Sequence, residues 1–211
     1  MNNKNEVQQM VLVVDDDESM RVALSYLFQS MSLPVKLFSS AAELLKSQLP
    51  DMASCLVLDI RLPGVSGLEF QDVLAKSEIR IPIIFMTGHG DIPMSVRAMK
   101  AGAVDFLTKP FRDQDMLDAV TRALDQDRKR REGESAVSGL RQRLESLSPR
   151  EREVLVHVTS GLMNKQTAGL LQLSEITVKI HRGNVMKKMQ ARSLAELVKM
   201  AELLGISRKS P

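Results

Sequence analysis

The chain has 211 residues, of which 44% are hydrophobic and 26% charged, so it is long enough for one large domain or two small ones. Its charge is unevenly distributed: residues 1–125 carry 12 Lys and Arg against 17 Asp and Glu, whereas residues 126–211 carry 17 against 9. An acidic half joined to a basic half predicts two modules with different partners, and the basic module is the candidate for nucleic-acid binding.

Cysteine usage and hydropathy indicate where the protein acts. The chain has a single cysteine, Cys55, so it cannot form an intramolecular disulfide. Because Cys55 lies in an apolar run, we expect a buried thiol in a protein of a reducing compartment. No apolar run approaches the roughly 20 residues that cross a bilayer, and the polar start of the chain is unlike a signal peptide. We therefore expect a cytoplasmic protein with no membrane partner.

Five short apolar runs alternate with helical patterns in the first part of the chain. The runs are MVLVV, PVKLF, CLVLD, IPIIFMT and AVDFLTK, at residues 10–14, 34–38, 55–59, 81–87 and 103–109. Between them, apolar residues recur at helical spacing, as at Met20, Ala23, Leu24 and Leu27. Strict alternation of strand and helix predicts a parallel sheet covered on both faces, a doubly wound α/β domain at residues 10–125.

The remainder of the chain is predicted to be helical. A helical pattern continues from Phe111 into residues 126–146, a linker in which Arg128 to Arg131 form either a nucleic-acid contact or, preferably, a solvated helix face. A new helix start is then signalled by an N-cap, an N1 proline and an N3 glutamate, Ser148, Pro149 and Glu151. Four short helices follow in residues 147–209, which suits a small all-α helix-turn-helix domain better than an enzyme core.

Carboxylates follow two of the predicted strands, at the edge where open parallel sheets bind ligands. Asp15 and Asp16 end the first apolar run, and Asp59 ends the third. If these strands are neighbours, the three carboxylates converge and repel one another unless a cation offsets their charge. Hard oxygen ligands of this kind predict a Mg²⁺ site.

A hydroxyl and a lysine end two further predicted strands, at Thr87 and Lys109. Together with the acidic set they predict phosphoryl chemistry, in which Asp59 attacks a phosphoryl group and the hydroxyl and ammonium bind its oxygens. The alternative is that acidic residues after strands only cap helices or lie in solvated loops. That alternative is preferred for Asp17 and Glu18, but not for a set whose members end separate strands.

The first part of the chain resembles a known family. The segments VLVVDDDES, LVLDIRLPGVSG, IIFMTGHGDIPMSVRAMKAGAVDFL and TKPF resemble the receiver domains of bacterial response regulators. The resemblance implies that Asp59 is the phosphoacceptor and that Asp15 and Asp16 bind Mg²⁺, with Asp16 as the direct ligand. Arg61, two residues beyond the phosphoacceptor, would contribute its main-chain carbonyl to the metal.

The same resemblance implies a conformational switch. Thr87 and Phe106 match the switch hydroxyl and switch aromatic, although periodicity alone favours an ordinary core aromatic at Phe106. Lys109 matches the phosphate-binding lysine, and its bond to Pro110 would be cis, as in receivers. On phosphorylation, the fourth helix and fifth strand, Met94 to Leu107, would become a dimerisation face.

Residues 174–189 have the features of a helix that reads DNA. With Val178, Val185 and Met189 turned inward, the other side carries a mostly polar set, Lys179, Ile180, Arg182 and Gly183. Thr177, near the predicted helix start, is placed to donate to a phosphate. His181 shares the inward face and is interpreted as a packed, hydrogen-bonded histidine. The alternative for the basic residues is a solvated helix surface.

The segment LSPREREVLVHVTSGLMNKQTAGLLQLSEITVKIHRGNVMKKMQARSLAEL resembles the LuxR-type helix-turn-helix. The pair of domains resembles the FixJ/NarL group, and both halves look closest to its FixJ-like branch, which includes styrene and toluene degradation regulators. The resemblance implies base-facing residues at Lys179, Ile180 and Gly183. It implies backbone contacts at Asn164, Lys165 and Thr177. Gly183 departs from members that have a longer side chain at this position.

Together the resemblances imply a two-component response regulator that a sensor histidine kinase phosphorylates. Phosphorylation would promote homodimerisation and binding to double-stranded promoter DNA, where the protein would act with RNA polymerase, most simply as an activator. One alternative is a regulator whose receiver dimerises constitutively, without phosphorylation. Another is an aspartyl phosphatase or phosphotransferase, but such enzymes typically carry a second catalytic Asp where this chain has Arg61, so we expect no enzyme.

Overall fold

The computed structural model describes residues 9–88 and 92–206, with strands and helices in the predicted order. The five strands are β1 Gln9–Val14, β2 Val35–Phe38, β3 Ala53–Asp59, β4 Ile83–Thr87 and β5 Asp105–Thr108. Each strand is followed by one helix, namely α1 Glu18–Ser30, α2 Ala41–Lys46, α3 Gly67–Lys76, α4 Ile92–Lys100 and α5 Asp113–Glu145. Four more follow, namely α6 Pro149–Thr159, α7 Asn164–Leu171, α8 Glu175–Met189 and α9 Leu194–Leu203.

The strands form one parallel sheet in the order β2-β1-β3-β4-β5. The order reverses direction at β1, which creates the switch point where open α/β sheets bind ligands. Val14 of β1 is in register with Leu58 of β3, and Asp59 is in register with Met86 of β4. The predicted doubly wound α/β fold is therefore confirmed, and the carboxyl ends of the three central strands meet at one edge.

Alternate residues of the buried strands pack on opposite faces of the sheet, as the pleat requires. Val13, Val57 and Met86 pack against Phe28 of α1 and Val120 of α5. The other face contacts α2, α3 and α4 through a second set, Leu12, Leu56, Leu58 and Phe85. Cys55 lies within the first cluster, where burial raises the pKa of its thiol well above the ordinary range, so the thiol stays protonated.

The chain divides into two compact units between Arg131 and Glu132, inside the continuous helix α5. This division lies within the predicted linker, residues 126–146, and the linker is helical as expected. The bounds of the three predicted segments stay predictions. Residues 207–209 of the predicted C-terminal domain lie outside the described residues.

The basic run in α5 has a role that neither interpretation of its charge included. Asp127 is fully buried and accepts a hydrogen bond from the Ser54 amide at 2.9 Å, at the start of β3. Arg130 and Arg131 both pair with this carboxylate, at 2.5 and 2.8 Å, and Arg131 also reaches Asp51 at 3.0 Å. These two arginines thus compensate a buried charge, which is more than a plain solvated face does.

The second unit is a small helical bundle. Leu155 of α6, Val185 of α8 and Leu197 of α9 form one buried cluster, and Val154 and Val178 belong to another. The predicted capping box at the start of α6 is present, with the Ser148 hydroxyl and the N3 carboxylate bonded reciprocally. Across residues 9–88 and 92–206, no helix combines the length and apolar character needed to cross a bilayer.

The N3 residue of that capping box also links α6 to α8. Glu151 is buried and accepts a hydrogen bond from Lys188 Nζ at 2.6 Å. This bond, together with the Ser148 amide, lowers the pKa of Glu151 below its ordinary value. The pair fixes α8 against the start of the bundle, which positions the helix predicted to read DNA.

Candidate functional site

Three carboxylates meet at the carboxyl edge of the sheet. One oxygen from each of Asp15, Asp16 and Asp59 lies within 4.8 Å of the others. Asp15 and Asp59 are buried, whereas Asp16 is exposed at the rim. The convergence predicted from the strand ends is therefore present, because β1 and β3 are neighbours in the sheet.

Lys109 lies between two of these carboxylates. Its Nζ is 2.7 Å from Asp15 Oδ2 and 2.5 Å from Asp59 Oδ2. The Lys109–Pro110 bond is cis, as the resemblance implied, and the Lys109 amide donates to the Thr87 carbonyl at 2.7 Å. The lysine thus offsets part of the negative charge that the sheet edge collects.

Burial shifts the pKa values of the buried aspartate and the lysine at this site. Burial raises the pKa of Asp15, although hydrogen bonds from Lys109 and the Asp17 amide act in the opposite direction. Burial alone would lower the pKa of Lys109, but its hydrogen bonds to Asp15 and Asp59 outweigh burial and raise it. A buried carboxylate that one lysine compensates only in part is suited to a divalent cation, so the donor set fits Mg²⁺.

Main-chain amides fix the remaining carboxylate oxygens. Asp59 Oδ1 accepts a hydrogen bond from the Arg61 amide at 2.8 Å, and Asp15 Oδ1 accepts one from the Asp17 amide at 2.9 Å. Asp17 itself caps α1, with its side chain accepting from the Ser19 amide, in agreement with the interpretation as a helix cap. The role of the Arg61 carbonyl as a metal ligand stays a prediction.

The candidate DNA-reading face lies on α8. Val178, Val185 and Met189 are buried, so the inward face is as predicted. Lys179, Ile180 and Gly183 are exposed on the other side, and Lys165 is exposed on α7. Ile180 leaves 59% of its surface exposed, so its side chain is accessible on the same side as the lysine. These four positions are free to approach a ligand.

Three of the other candidate DNA residues bind within the protein. Arg182 Nη1 donates to Asn164 Oδ1 at 3.1 Å, and both residues are only partly exposed. Thr177 is half-buried, with its Oγ1 2.7 Å from the hydroxyl of Ser174, the N-cap of α8. His181 is half-buried as expected, but its Nδ1 is buried without a hydrogen-bond partner, so the expected hydrogen bond is wrong for this atom.

Comparison with known families identifies both units. Residues 11–121 match the profile of the response regulator receiver domain, and residues 145–201 match that of the bacterial regulatory proteins of the luxR family. The chain belongs to the LuxR-type response regulators. Receiver domains of this family bind Mg²⁺ at an acidic pocket such as the one formed by the three aspartates.

Individual relatives place this response regulator more narrowly. It is 63% identical to nodulation protein W of Bradyrhizobium diazoefficiens over 198 residues, 94% of this chain and 87% of that protein. It is 44% identical to the transcriptional regulatory protein FixJ of Azorhizobium caulinodans over 197 residues, 93% of each chain. The solved structure of the response regulator StyR has a TM-score of 0.84 at 48% identity, over 92% of this chain and 98% of that one.

These relatives confirm the assignment to the FixJ-like branch. FixJ is by name a transcriptional regulatory protein and StyR a response regulator. Together with the receiver and luxR-family profiles of this chain, they make the protein a regulator of transcription in a two-component system and not an enzyme. The phosphatase alternative is therefore rejected.

The two switch residues of this response regulator lie on neighbouring strands. Thr87 is fully buried at the end of β4, and Phe106 is half-buried on β5, in register with Phe85. Phe106 packs against the core cluster that contains Phe85, which is the ordinary core contact that periodicity favoured. Its switch role stays a prediction.

Two residues at the response regulator's acidic edge were not identified from the sequence. Arg21 Nη1 donates to the main-chain carbonyls of Asp15 and Asp16, at 2.7 and 3.0 Å. A Cβ atom on Gly67 would lie 2.7 Å from the carbonyl oxygen of Asp59. The available signals were the position of the arginine in the first turn after the acidic pair and the glycine that opens α3.

Proposed function

We propose that Asp59 accepts a phosphoryl group from a sensor histidine kinase. The observation that carries this proposal is Lys109 Nζ lying between Asp15 and Asp59 at the carboxyl edge of the sheet. An Asp59 oxygen attacks the phosphorus atom, the P–N bond to the kinase histidine breaks, and an acyl phosphate forms. Asp15, Asp16, Asp59 and the Arg61 carbonyl hold Mg²⁺, which neutralises charge on the phosphoryl oxygens when bound.

Phosphorylation then shifts the receiver between two states. The Thr87 hydroxyl and Lys109 bind the new phosphoryl oxygens, and Phe106 follows the threonine inward. The segment Met94 to Leu107 becomes a dimerisation face. Support comes from the exposed apolar side chains that α4 contributes to this segment, since Val96 and Met99 both face solvent.

Treatment with acetyl phosphate and Mg²⁺ tests the switch. We expect wild type to gain one phosphoryl group, to dimerise and to bind DNA more tightly, because two linked half-site contacts reinforce each other. Asp59→Asn should keep its fold and show none of these changes. Intact mass, sedimentation and DNA binding are measured on the full chain.

Two results would contradict the proposal. Equal dimerisation and DNA binding by treated and untreated wild type would favour the constitutive-dimer alternative. Phosphorylation of Asp59→Asn to the level of wild type would exclude Asp59 as the phosphoacceptor.

The second unit, in this proposal, places α8 in the major groove of promoter DNA. Lys179, Ile180 and Gly183 face base edges, in keeping with their exposure on one side of α8. The DNA backbone is contacted by a second set, Asn164, Lys165 and Thr177, and Arg182 is a further DNA-binding residue of α8. The net charge of +6 over residues 147–211 favours approach to the phosphates.

Substitution of two lysines distinguishes contacts with DNA bases from contacts with the DNA backbone. Lys179→Ala should cost about 1–3 kcal/mol on a selected operator and relax its sequence preference at one position. Lys165→Ala should weaken binding about equally on operator and random DNA, and should reduce the salt slope by about 1. The operator is obtained by selection from random duplexes with phosphorylated protein. Identical salt and sequence profiles for the two variants would contradict the assignment.

We also propose segment bounds and a mode of action. The receiver occupies residues 10–125, the helical linker 126–146 and the DNA-binding domain 147–209; the profile matches at residues 11–121 and 145–201 support two such domains. The protein acts in the cytoplasm, where it activates transcription with RNA polymerase at the promoters it binds.

A further inference from the structure

We infer that Arg21 is a positioning residue for the magnesium site, acting through the main chain of the acidic pair. This inference rests on the proposed metal site. A single guanidinium nitrogen of Arg21 donates to the carbonyls of both Asp15 and Asp16, at 2.7 and 3.0 Å. Arg21 itself contacts no carboxylate of the cluster in these hydrogen bonds.

The two carbonyls are at a point where regular structure does not hold them. Asp15 and Asp16 lie between the end of β1 at Val14 and the start of α1 at Glu18. The Asp15 amide donates to the Phe38 carbonyl at 3.3 Å. The Asp15 carbonyl instead accepts a hydrogen bond from the Arg21 guanidinium of α1. A bond to each of two successive carbonyls fixes two peptide planes at once.

Fixing these planes determines where the side chains point. Asp15 directs its carboxylate into the buried cluster, where Lys109 binds it, while Asp16 presents its carboxylate at the exposed rim. Both must converge on one ion, and outer groups that orient metal ligands typically change metal affinity 10- to 100-fold when removed. Arg21 is such an orienting group, because its Nη1 reaches both carbonyls, whereas a lysine ammonium at this position would end one bond closer to the main chain.

The charge of Arg21 acts in the opposite direction. A cation beside the acidic pair repels Mg²⁺, so removing it would tighten binding if charge were its main effect. Part of the charge is balanced by Glu43, whose pKa is lowered by hydrogen bonds from Ser39 and further by the nearby Arg21. Positioning and charge therefore predict changes of opposite sign, which makes the two roles separable.

Calorimetric titration of the full chain with MgCl₂ at constant ionic strength tests this role. Arg21→Lys keeps the charge but shortens the side chain by one bond, which takes the donor away from the two carbonyls, whereas Arg21→Met loses the charge and the donor. We expect Arg21→Lys to bind Mg²⁺ about 10-fold more weakly than wild type. Arg21→Met should also bind more weakly than wild type, but by a smaller factor, because it removes the repelling charge as well. Arg112→Met is the matched control: it removes one arginine from the same unit, whose contact is an exposed pair with Asp115, and should bind as wild type does.

The outcomes separate the inference from the proposed function. Wild-type affinity in Arg21→Lys, or tighter binding in Arg21→Met, would overturn positioning and leave only a charge effect. No Mg²⁺ binding by wild type, or equal binding by Asp16→Asn, would instead contradict the metal site itself. Melting curves without Mg²⁺ check folding; if Arg21→Met does not fold, Arg21→Lys still decides, since charge alone predicts no change for it.

Discussion

Replacing Lys109 by Met is expected to destabilise the receiver by about 3 kcal/mol at neutral pH without Mg²⁺, because removing one partner of a buried ion pair leaves uncompensated charge. Two carboxylates lose their cation at once, Asp15 at 2.7 Å and Asp59 at 2.5 Å. Both are largely shielded from solvent, so water replaces the ammonium only in part. Urea unfolding of the receiver transition, followed by circular dichroism, measures the loss.

The pH dependence of this loss identifies its cause. Burial already raises the pKa of Asp15 in wild type, and without the lysine it rises further. A carboxyl whose folded pKa lies above its unfolded value destabilises the protein above the folded pKa, and the penalty fades as pH falls toward about 3.9. The difference in unfolding free energy between wild type and Lys109→Met should therefore shrink on acidification.

A second substitution and a control complete the test. Asp15→Asn in the Lys109→Met background should recover part of the lost stability at pH 7, because it removes one of the two uncompensated charges. Arg112→Met, which breaks an exposed ion pair with Asp115, should change stability by no more than about 1 kcal/mol. A loss that is equal at pH 4 and pH 7, or that Asp15→Asn deepens, would contradict a charge origin.

The acidic site was predictable because its members end strands. Parallel strands bring their carboxyl ends to one edge, so Asp15, Asp59, Thr87 and Lys109 converge once the strand order is known. Local sequence marks each strand end, and the backbone then does most of the positioning. For the same reason, the doubly wound fold followed from alternation alone.

Side-chain pairing between charged residues was not predictable in the same way. The charge run of α5 predicts a solvated surface, yet Arg130 and Arg131 reach a buried carboxylate on their own helix. Periodicity places Arg182 on the outer side of α8, yet its guanidinium turns to Asn164 on α7. Long side chains reach several ångströms in several directions, and only the packed neighbours decide which direction is taken.

The same limit applies to glycines, whose importance depends on what lies beside them. Gly67 opens α3 just after the loop that follows Asp59, and its amide donates to the Ile60 carbonyl at 2.8 Å. A Cβ at this position would lie 2.7 Å from the Asp59 carbonyl oxygen and 2.9 Å from the Ile60 Cα, and both atoms are backbone. Neither can move away without displacing the residue that we propose to be phosphorylated.

Gly67→Ala is therefore expected to cost about 2–3 kcal/mol of receiver stability, which is the upper range for forcing extra volume into a packed site. Phosphorylation by acetyl phosphate should also slow, since moving the loop displaces Asp59 from Lys109. Urea unfolding and intact mass over time measure the two effects on one preparation.

Gly88→Ala provides the matched comparison for stability, because a Cβ at Gly88 has no atom of the described residues within 4 Å, its two chain neighbours aside. The same added methyl group should change unfolding free energy there by no more than about 1 kcal/mol. Equal stability losses in the two variants would show that glycine flexibility, rather than close approach to Asp59, explains the effect. A stable Gly67→Ala that is phosphorylated at the wild-type rate would show that the loop can move without displacing its aspartate.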